Sequence, residues 1–361
     1  MGRLVRTEDG YIIEDVKYIS NMNPLTADPN DEGYYLYSPV NGGEVKQFVR
    51  GGAAISLVGS DLCGMADSVI QDVATGEVTQ LTYAPGYDET TMVSPDEKLG
   101  VVMTTRFSET IDMGVLGLVP RPIGQPLHNI LGQVYMYGVT GVRSGRAGNI
   151  GPALIDLSKS MNDKSYKGID LSDPEEEWVF LSPLSWNIDS KKAMWVERKK
   201  NGYQYRVRIA SLDEYEAGPA VEPVATPEVG SYAAAPSQLG DYDAVVKGLF
   251  SGTVHLTKKS GNLGDALVTV VYENFSNDGV CFYNGTETSN GSVITETSYD
   301  ADLKVTDANG LLCGQMDVTL NMSAGYSLTG KGSNSPKLDL ETSGGEAFWL
   351  DSRIDTSKLV N

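Results

Sequence analysis

Gly43-Glu44-Val45-Lys46-Gln47-Phe48 returns further along the chain as Gly76-Glu77-Val78-Thr79-Gln80-Leu81. A run of strand-forming residues precedes each copy: Tyr34-Tyr35-Leu36-Tyr37 before the first, Ser68-Val69-Ile70-Gln71-Asp72 before the second. A Gly-containing turn joins run to copy. Self-similarity of this kind marks a repeated supersecondary unit. The wider texture agrees. Val, Thr and Tyr are plentiful, 40 Gly and 16 Pro supply turns, and helical spacing of strong helix formers is scarce. The chain reads as all-β.

A second signal follows the second copy. Val93-Ser94-Pro95-Asp96-Glu97-Lys98-Leu99-Gly100 leads into the apolar run Val101-Val102-Met103 and ends near Arg106. A worn version runs from Trp186-Asn187-Ile188-Asp189-Ser190-Lys191-Lys192 through Ala193-Met194-Trp195-Val196 to Arg198. Pro95 presets φ for a tight turn, and Asp96 can accept from backbone amides ahead of it. A strand apolar at nearly every position suits a sheet buried on both faces.

These features together resemble the TolB-type β-propeller repeat, in which a Ser-Pro-Asp-Gly-Lys turn precedes an inner strand and a Thr-Gly-Glu hairpin closes the preceding blade. Asp72-Val73-Ala74-Thr75-Gly76-Glu77-Val78-Thr79-Gln80-Leu81-Thr82 and Ser94-Pro95-Asp96-Glu97-Lys98 carry the match. Glu97 stands where the family has Gly, a departure expected to be tolerated if this residue keeps φ negative. The match covers 34–106 and extends by register to about 215. The resemblance implies a periplasmic or secreted, bacterial protein that binds a partner at one face of the propeller.

Blades sketched on this basis are a fragment ending at Phe48, a second from Ala53 to Leu81, a third from Ser94 closing with Gln133-Val134-Tyr135-Met136-Tyr137, and a fourth from Trp178 to Ile209. Propellers close with four or more. Either 1–33 and 145–177 hide further strands, or an oligomer or partner subunit completes the ring. Residues 216–243, rich in Ala, Pro and Gly, read as a linker between a propeller at 1–215 and a second domain at 244–361. That second domain has regularly spaced strands at Val254-His255-Leu256, Ala266–Tyr272, Val280–Tyr283, Ala301–Val305 and Met316–Leu320. Asn277-Asp278-Gly279 and Asn309-Gly310 supply turns. It reads as a β-sandwich or small antiparallel barrel.

Composition narrows the function classes. With 28 Lys+Arg against 48 Asp+Glu, the formal net charge is −20, which argues against nucleic acid and anionic membrane surfaces as partners. No stretch has the roughly 18 apolar residues of a membrane span. Residues 1–9 lack the apolar core of a signal peptide. Gly-x-Ser-x-Gly, P-loop, dinucleotide and Cys-x-x-Cys patterns are all missing. His128 and His255 are the only histidines, too few for a multi-His metal site. No cofactor is expected. Calcium at Asp28-Pro29-Asn30-Asp31-Glu32-Gly33 is the alternative to a solvated turn, but Pro39 stands where a bidentate Glu would close the loop. Cys281 and Cys313 are either bridged or separately buried thiols, and Cys63 reads as a buried thiol.

The strongest chemical candidate is the long interruption from Phe107 to Gly132, beyond the 12–15 residues usual for a loop inside a domain. It carries Arg121 and His128, and Arg143 and Arg146 follow it. Arginine forks suit a carboxylate or phosphate. Two function classes result. One is a binding or scaffold module for a protein or small anionic ligand, sited near the interruption. The other is a hydrolase or lyase acting on a small anion, with His128 as general acid or base and the three arginines holding the substrate. The tryptophans 178, 186 and 195 read as core, with a sugar platform as the alternative.

Overall fold

The structure, a computed structural model, describes residues 1–19, 27–35, 42–60, 66–83, 88–107, 150–172, 177–200, 202–235, 240–261, 265–291, 296–322, 328–335, 338–343 and 346–350. These are all-β apart from a short helix and a 3-10 turn, and they divide into two compact units. One draws on 1–24, 39–113 and 142–239; the other draws on 25–38 and 240–361.

The first unit opens with a two-stranded hairpin, β1 (Arg3–Arg6) and β2 (Tyr11–Glu14). Strand β3 (Tyr34–Tyr35) leaves this unit altogether: it pairs in parallel with a strand of the second unit. The expectation that Tyr34–Tyr37 begins a blade is therefore corrected. A parallel pairing across some two hundred positions leaves no local trace in a two-residue strand.

Three antiparallel sheets of blade type follow. Sheet one is β4 (Gly42–Val49), β5 (Ala54–Ser60), β6 (Ala66–Asp72) and β7 (Val78–Gln80), in that order. The two Gly-Glu-Val copies thus lie in one sheet, the first in the edge strand β4 and the second in the turn and opposite edge strand β7. The fragment ending at Phe48 is not a separate blade, because β4 pairs directly with β5.

Sheet two is β8 (Asp88–Val93), β9 (Leu99–Thr104), β10 (Gly151–Asp156) and β11 (Ile169–Asp170). The partner of β9 is β10, so 145–177 does hide strands; the expected closing strand 133–137 lies outside the described residues. Helix α1 (Leu157–Asn162) bridges β10 to β11, its first turn capped by the Asp156 carboxylate accepting from Lys159 N–H at 2.9 Å. Sheet three is β12 (Trp178–Trp186), β13 (Lys192–Lys199) and β14 (Tyr205–Ser211), three strands among the described residues.

The sheets stack in chain order because alternate residues of each strand face opposite neighbours. Val49, Ala54, Ile70 and Leu81 of sheet one meet Val93, Val102, Ala153 and Ile155 of sheet two. From the other face of sheet two, Val101 and Leu154 meet Ala193 of sheet three, with Trp186 and Leu212 alongside. Sheet two is therefore the one packed between two other sheets, as its unbroken apolar runs require.

The predicted turns share one geometry. Ser94 N–H donates to Leu99 O at 2.8 Å, and Asn187 N–H to Lys192 O at 2.9 Å. Asp96 and Asp189 each accept from the amide two residues on. Glu97 and Ser190 occupy the Gly place of the motif with φ of 52° and 60°. The expectation of negative φ at Glu97 is thus corrected. A left-handed residue costs roughly 1–2 kcal/mol. Here the Glu97 carboxylate accepts from the amides of Arg50 and Gly51 in sheet one, a use that a glycine could not supply.

The second unit is one ten-stranded sheet. Its order runs from β3 to β15 (Tyr242–Lys247), then β16 (Ser251–Ser260), β17 (Ala266–Ser276), β18 (Phe282–Gly291), β19 (Thr297–Thr306), β20 (Leu312–Met322), β21 (Leu328–Ser335), β22 (Leu338–Ser343) and β23 (Glu346–Leu350). Every contact after β3 is an antiparallel hairpin. Along β19, Thr297, Tyr299, Ala301, Leu303 and Val305 are buried while Asp300, Asp302 and Lys304 are exposed. Gly279 and Gly310, in the predicted turns, have φ of 72° and 80°.

Candidate interaction surface

Residues 212–234 decide what the three sheets leave open. Of the expected linker, residues 216–234 form an ordered strap lying against the sheets, while Tyr242 and Asp243 already belong to β15. Leu212 N–H donates to Lys191 O in sheet three. Asp96 in sheet two then accepts from Tyr215 OH at 2.7 Å and Gly218 N–H at 3.0 Å, and Val221 N–H donates to Pro95 O. Val224 N–H donates to Gly51 O in sheet one, where a Cβ on Gly51 would stand 2.4 Å from Glu222 O. Tyr232 OH donates to Val73 O, and Tyr18 N–H to Ala234 O. Ala, Pro and Gly composition forecasts the lack of a regular ladder, but it is silent on whether the backbone is tethered.

The strap ends by covering the outer face of sheet one. Ile55, Leu57, Val69 and Val73 are buried there with Ile19 and Ala233, and Val229 and Tyr232 pack against them. Gly76 takes φ of 76° beneath the Tyr232 ring, which would lie 2.5 Å from a Cβ.

At the Asp96 clasp, burial pushes the carboxyl up, but the Ser94 and Tyr215 hydroxyls and the Gly218 and Lys98 amides together hold it below the ordinary carboxylate value. Burial, then the bond to Asp96 and its charge, push the Tyr215 hydroxyl up to about 12.

Sheet three has no such cover among the described residues. Tyr205, Val207 and Ile209 alternate along β14 on the face turned away from sheet two, and they are 61, 56 and 59 % exposed. Met194 lies beside Ile209 on the same face, and Arg198 beside Tyr205. The Arg198 Nε is buried with no acceptor. β14 is also the last strand of its sheet, so one row of its backbone groups is unpaired among the described residues.

The opposite face of sheet three is satisfied. Glu197, with its side chain 2 % exposed, accepts from Trp195 Nε1 at 2.8 Å and pairs with Arg206 at 2.6 Å and Arg208 at 3.4 Å. Arg206 also stacks on Trp178, 4.2 Å from the ring centroid, and Trp186 Nε1 donates to Met92 O. The tryptophans are occupied by packing, buried bonds and cation–π contacts.

Of the predicted site residues, Arg121, His128, Arg143 and Arg146 lie outside the described residues, as does Cys63. The root of the interruption is described. Arg106, fully buried, pairs with Asp88, donates from Nε to Thr104 Oγ1 at 3.0 Å and from Nη1 to the Lys167 carbonyl at 3.2 Å. Asp88 Oδ1 has no partner. This ion pair was missed in the sequence, although an Arg closing an otherwise apolar strand was its visible trace. His255 lies on the exposed side of the second unit beside Asp243. Cys281 and Cys313 are free, and burial pushes the Cys281 thiol up. In the 28–33 turn, Asp28 accepts from Asn30 N–H and Asp31 pairs with Lys247; no cluster of three or more His, Cys, Asp or Glu fit for a metal occurs among the described residues. No helix among them is long and apolar enough to cross a membrane.

No protein-family profile and no curated protein sequence matches the chain. Among solved structures, TolB from Acinetobacter baumannii is similar at a TM-score of 0.27 and 10% identity, over 96% of this chain and 64% of that one. A prolyl endopeptidase is similar at 0.27 and 10%, over 89% and 51%. A lectin from Burkholderia pseudomallei is similar at 0.25 and 9%, over 88% and 100%. The chain thus spans less than two thirds of the first two. A likeness of this size carries no argument; the blades are defined by the chain's own strand pairing.

Proposed function

We propose that the chain is an extracytoplasmic binding or scaffold module that recognises a protein partner through the outer face and free edge of sheet three. The supporting observation is the alternation of Tyr205, Val207 and Ile209 on an exposed strand, where the outward face of sheet one is buried under the strap. An extended segment could add to the β14 backbone, while its apolar side chains cover this row. Apolar patches of this kind mark interaction sites on soluble proteins. The extracytoplasmic setting rests on the TolB-type turn motifs alone. The alternative, a hydrolase or lyase acting on a small anion, rests on Arg121, His128, Arg143 and Arg146, which lie outside the described residues.

Selection of a random peptide library on the wild type, counter-selected on a Val207→Lys/Ile209→Lys variant, tests this reading. Enrichment of extended peptides with alternating apolar residues is the expected result. Peptides that bind both proteins equally would place recognition elsewhere.

A further inference from the structure

The first unit has a second exposed apolar element, at its other end. In the hairpin β1–β2, Leu4, Tyr11 and Ile13 are each 66 % exposed, and no third strand joins it among the described residues. A lone two-stranded hairpin is marginal in water. This one is tied to the sheet-one end: Lys17 N–H donates to Met1 O, Tyr18 N–H to Ala234 O, and Ile19 sits in the cluster that caps sheet one. Sheet two stands between that end and sheet three, so a chain's own hairpin is held away from its own β14.

Each end therefore has strand edge and apolar surface left to cover among the described residues. The hairpin presents free strand edges and apolar side chains; β14 presents a free edge and an apolar row. Charge matches as well. From Trp178 to Ser211 the sequence has seven Lys or Arg against two acids, inside a chain of net charge −20. The lysine pairs Lys191-Lys192 and Lys199-Lys200 bracket β13 at its two ends, and Arg198 Nε lacks an acceptor. The hairpin is acidic on balance, with Glu8, Asp9, Glu14 and Asp15 against Arg3 and Arg6; Arg3 pairs with Glu14 and Asp15 at the base, and Glu8 and Asp9 stand at the exposed tip.

We propose that the free edge of sheet three is covered by the amino-terminal hairpin of a second copy of this chain, in a head-to-tail contact. This rests on sheet three being the docking face and names its occupant. Such a contact joins two different surfaces, so it either closes a ring or continues into a filament.

Light scattering behind size exclusion reads the result. Wild type should exceed the monomer mass, increasingly so with concentration and less so at high salt. A tail variant, Val207→Lys/Ile209→Lys, and a head variant, Leu4→Lys/Ile13→Lys, should each be monomeric. Mixed one to one, they should form a dimer and nothing larger, because the mixture has one intact head and one intact tail to join. If a variant's circular dichroism departs from wild type, the threonine versions at the same positions replace it. A wild type that stays monomeric at all concentrations overturns the proposal, as does self-association surviving in either variant, or a mixture that remains monomeric. Peptide selection succeeding on a monomeric wild type would sink the second copy and leave the docking face standing. Failure of both would remove both.

Discussion

Sheets one and three are built alike and finished differently. Each ends the stack, and each carries a row of branched or aromatic side chains on its outward face. Sheet one buries Ile55 and Leu57 under Ile19, Ala233 and the Tyr232 ring; sheet three leaves Val207 and Ile209 in water. The difference lies in no strand. It lies in twenty-odd residues of strap that cross the stack and stop on one side. Blade identity and blade capping are thus separate properties of this chain, encoded in separate segments.

The sharpest way to break the comparison is one substitution made twice. Ile55→Ala, at 1 % exposure, should cost about 2–5 kcal/mol through lost burial and the cavity left behind. Ile209→Ala, measured at a concentration where the chain is monomeric, should stay within about 0.5 kcal/mol. Urea unfolding of the two variants measures this, and equal losses would show that the outer face of sheet three is covered in solution. Next in size is the clasp that holds the strap. Asp96→Ala removes the acceptor for Ser94, Tyr215 and Gly218 and should cost about 2–3 kcal/mol, with faster amide exchange spreading over 215–224. Exchange unchanged beyond Gly218 would mean the strap is held elsewhere. Gly76→Ala forces a side chain into left-handed backbone under Tyr232 and should cost roughly 1–2 kcal/mol, visible as a lower thermal midpoint.

The smallest effect is on pH dependence. Asp96 is depressed in the fold, so its contribution is present above the ordinary carboxylate pKa and is lost as pH falls through the lower folded value. Tyr215 is raised to about 12, so its contribution is full below the ordinary value of 10.0 and is lost as pH rises toward 12. Strap protection, taken relative to the intrinsic exchange rate at each pH, should therefore be greatest between these limits. Tyr215→Phe should remove the alkaline limb, as read by ultraviolet titration of tyrosine.

Much of this architecture stands in the local sequence. The Ser94–Lys98 turn, its worn copy at Asn187–Lys191 and the hairpin turns at Gly279 and Gly310 are set by residues within five positions, and all form as their chemistry demands. What escapes is non-local. Tyr34 pairs with Val245, Asp88 meets Arg106, and Glu197 and Glu287 are buried acids, the latter bonded to Tyr272 and Tyr299. A carboxylate in a strand looks solvated until the partner across the sheet is known. Glu97 misled for another reason: its left-handed φ is sustained by a bond to Arg50, not by its own backbone preference. Of the candidate site, the arginines and His128 fall beyond the described residues, while the exposed row on β14 was visible as alternation and carried no sign of which side would be covered.

The strap also orders events in time. Lys17 and Val229, joined by a side-chain bond to a carbonyl, stand 212 positions apart. On a ribosome, the outer face of sheet one is complete long before residues 229–234 emerge to close it. Contacts of such separation form late, because the loop entropy must be spent before they return anything. Until those residues emerge, the outer face of sheet one is as open as that of sheet three, and the arrival of one proline-containing segment makes them differ.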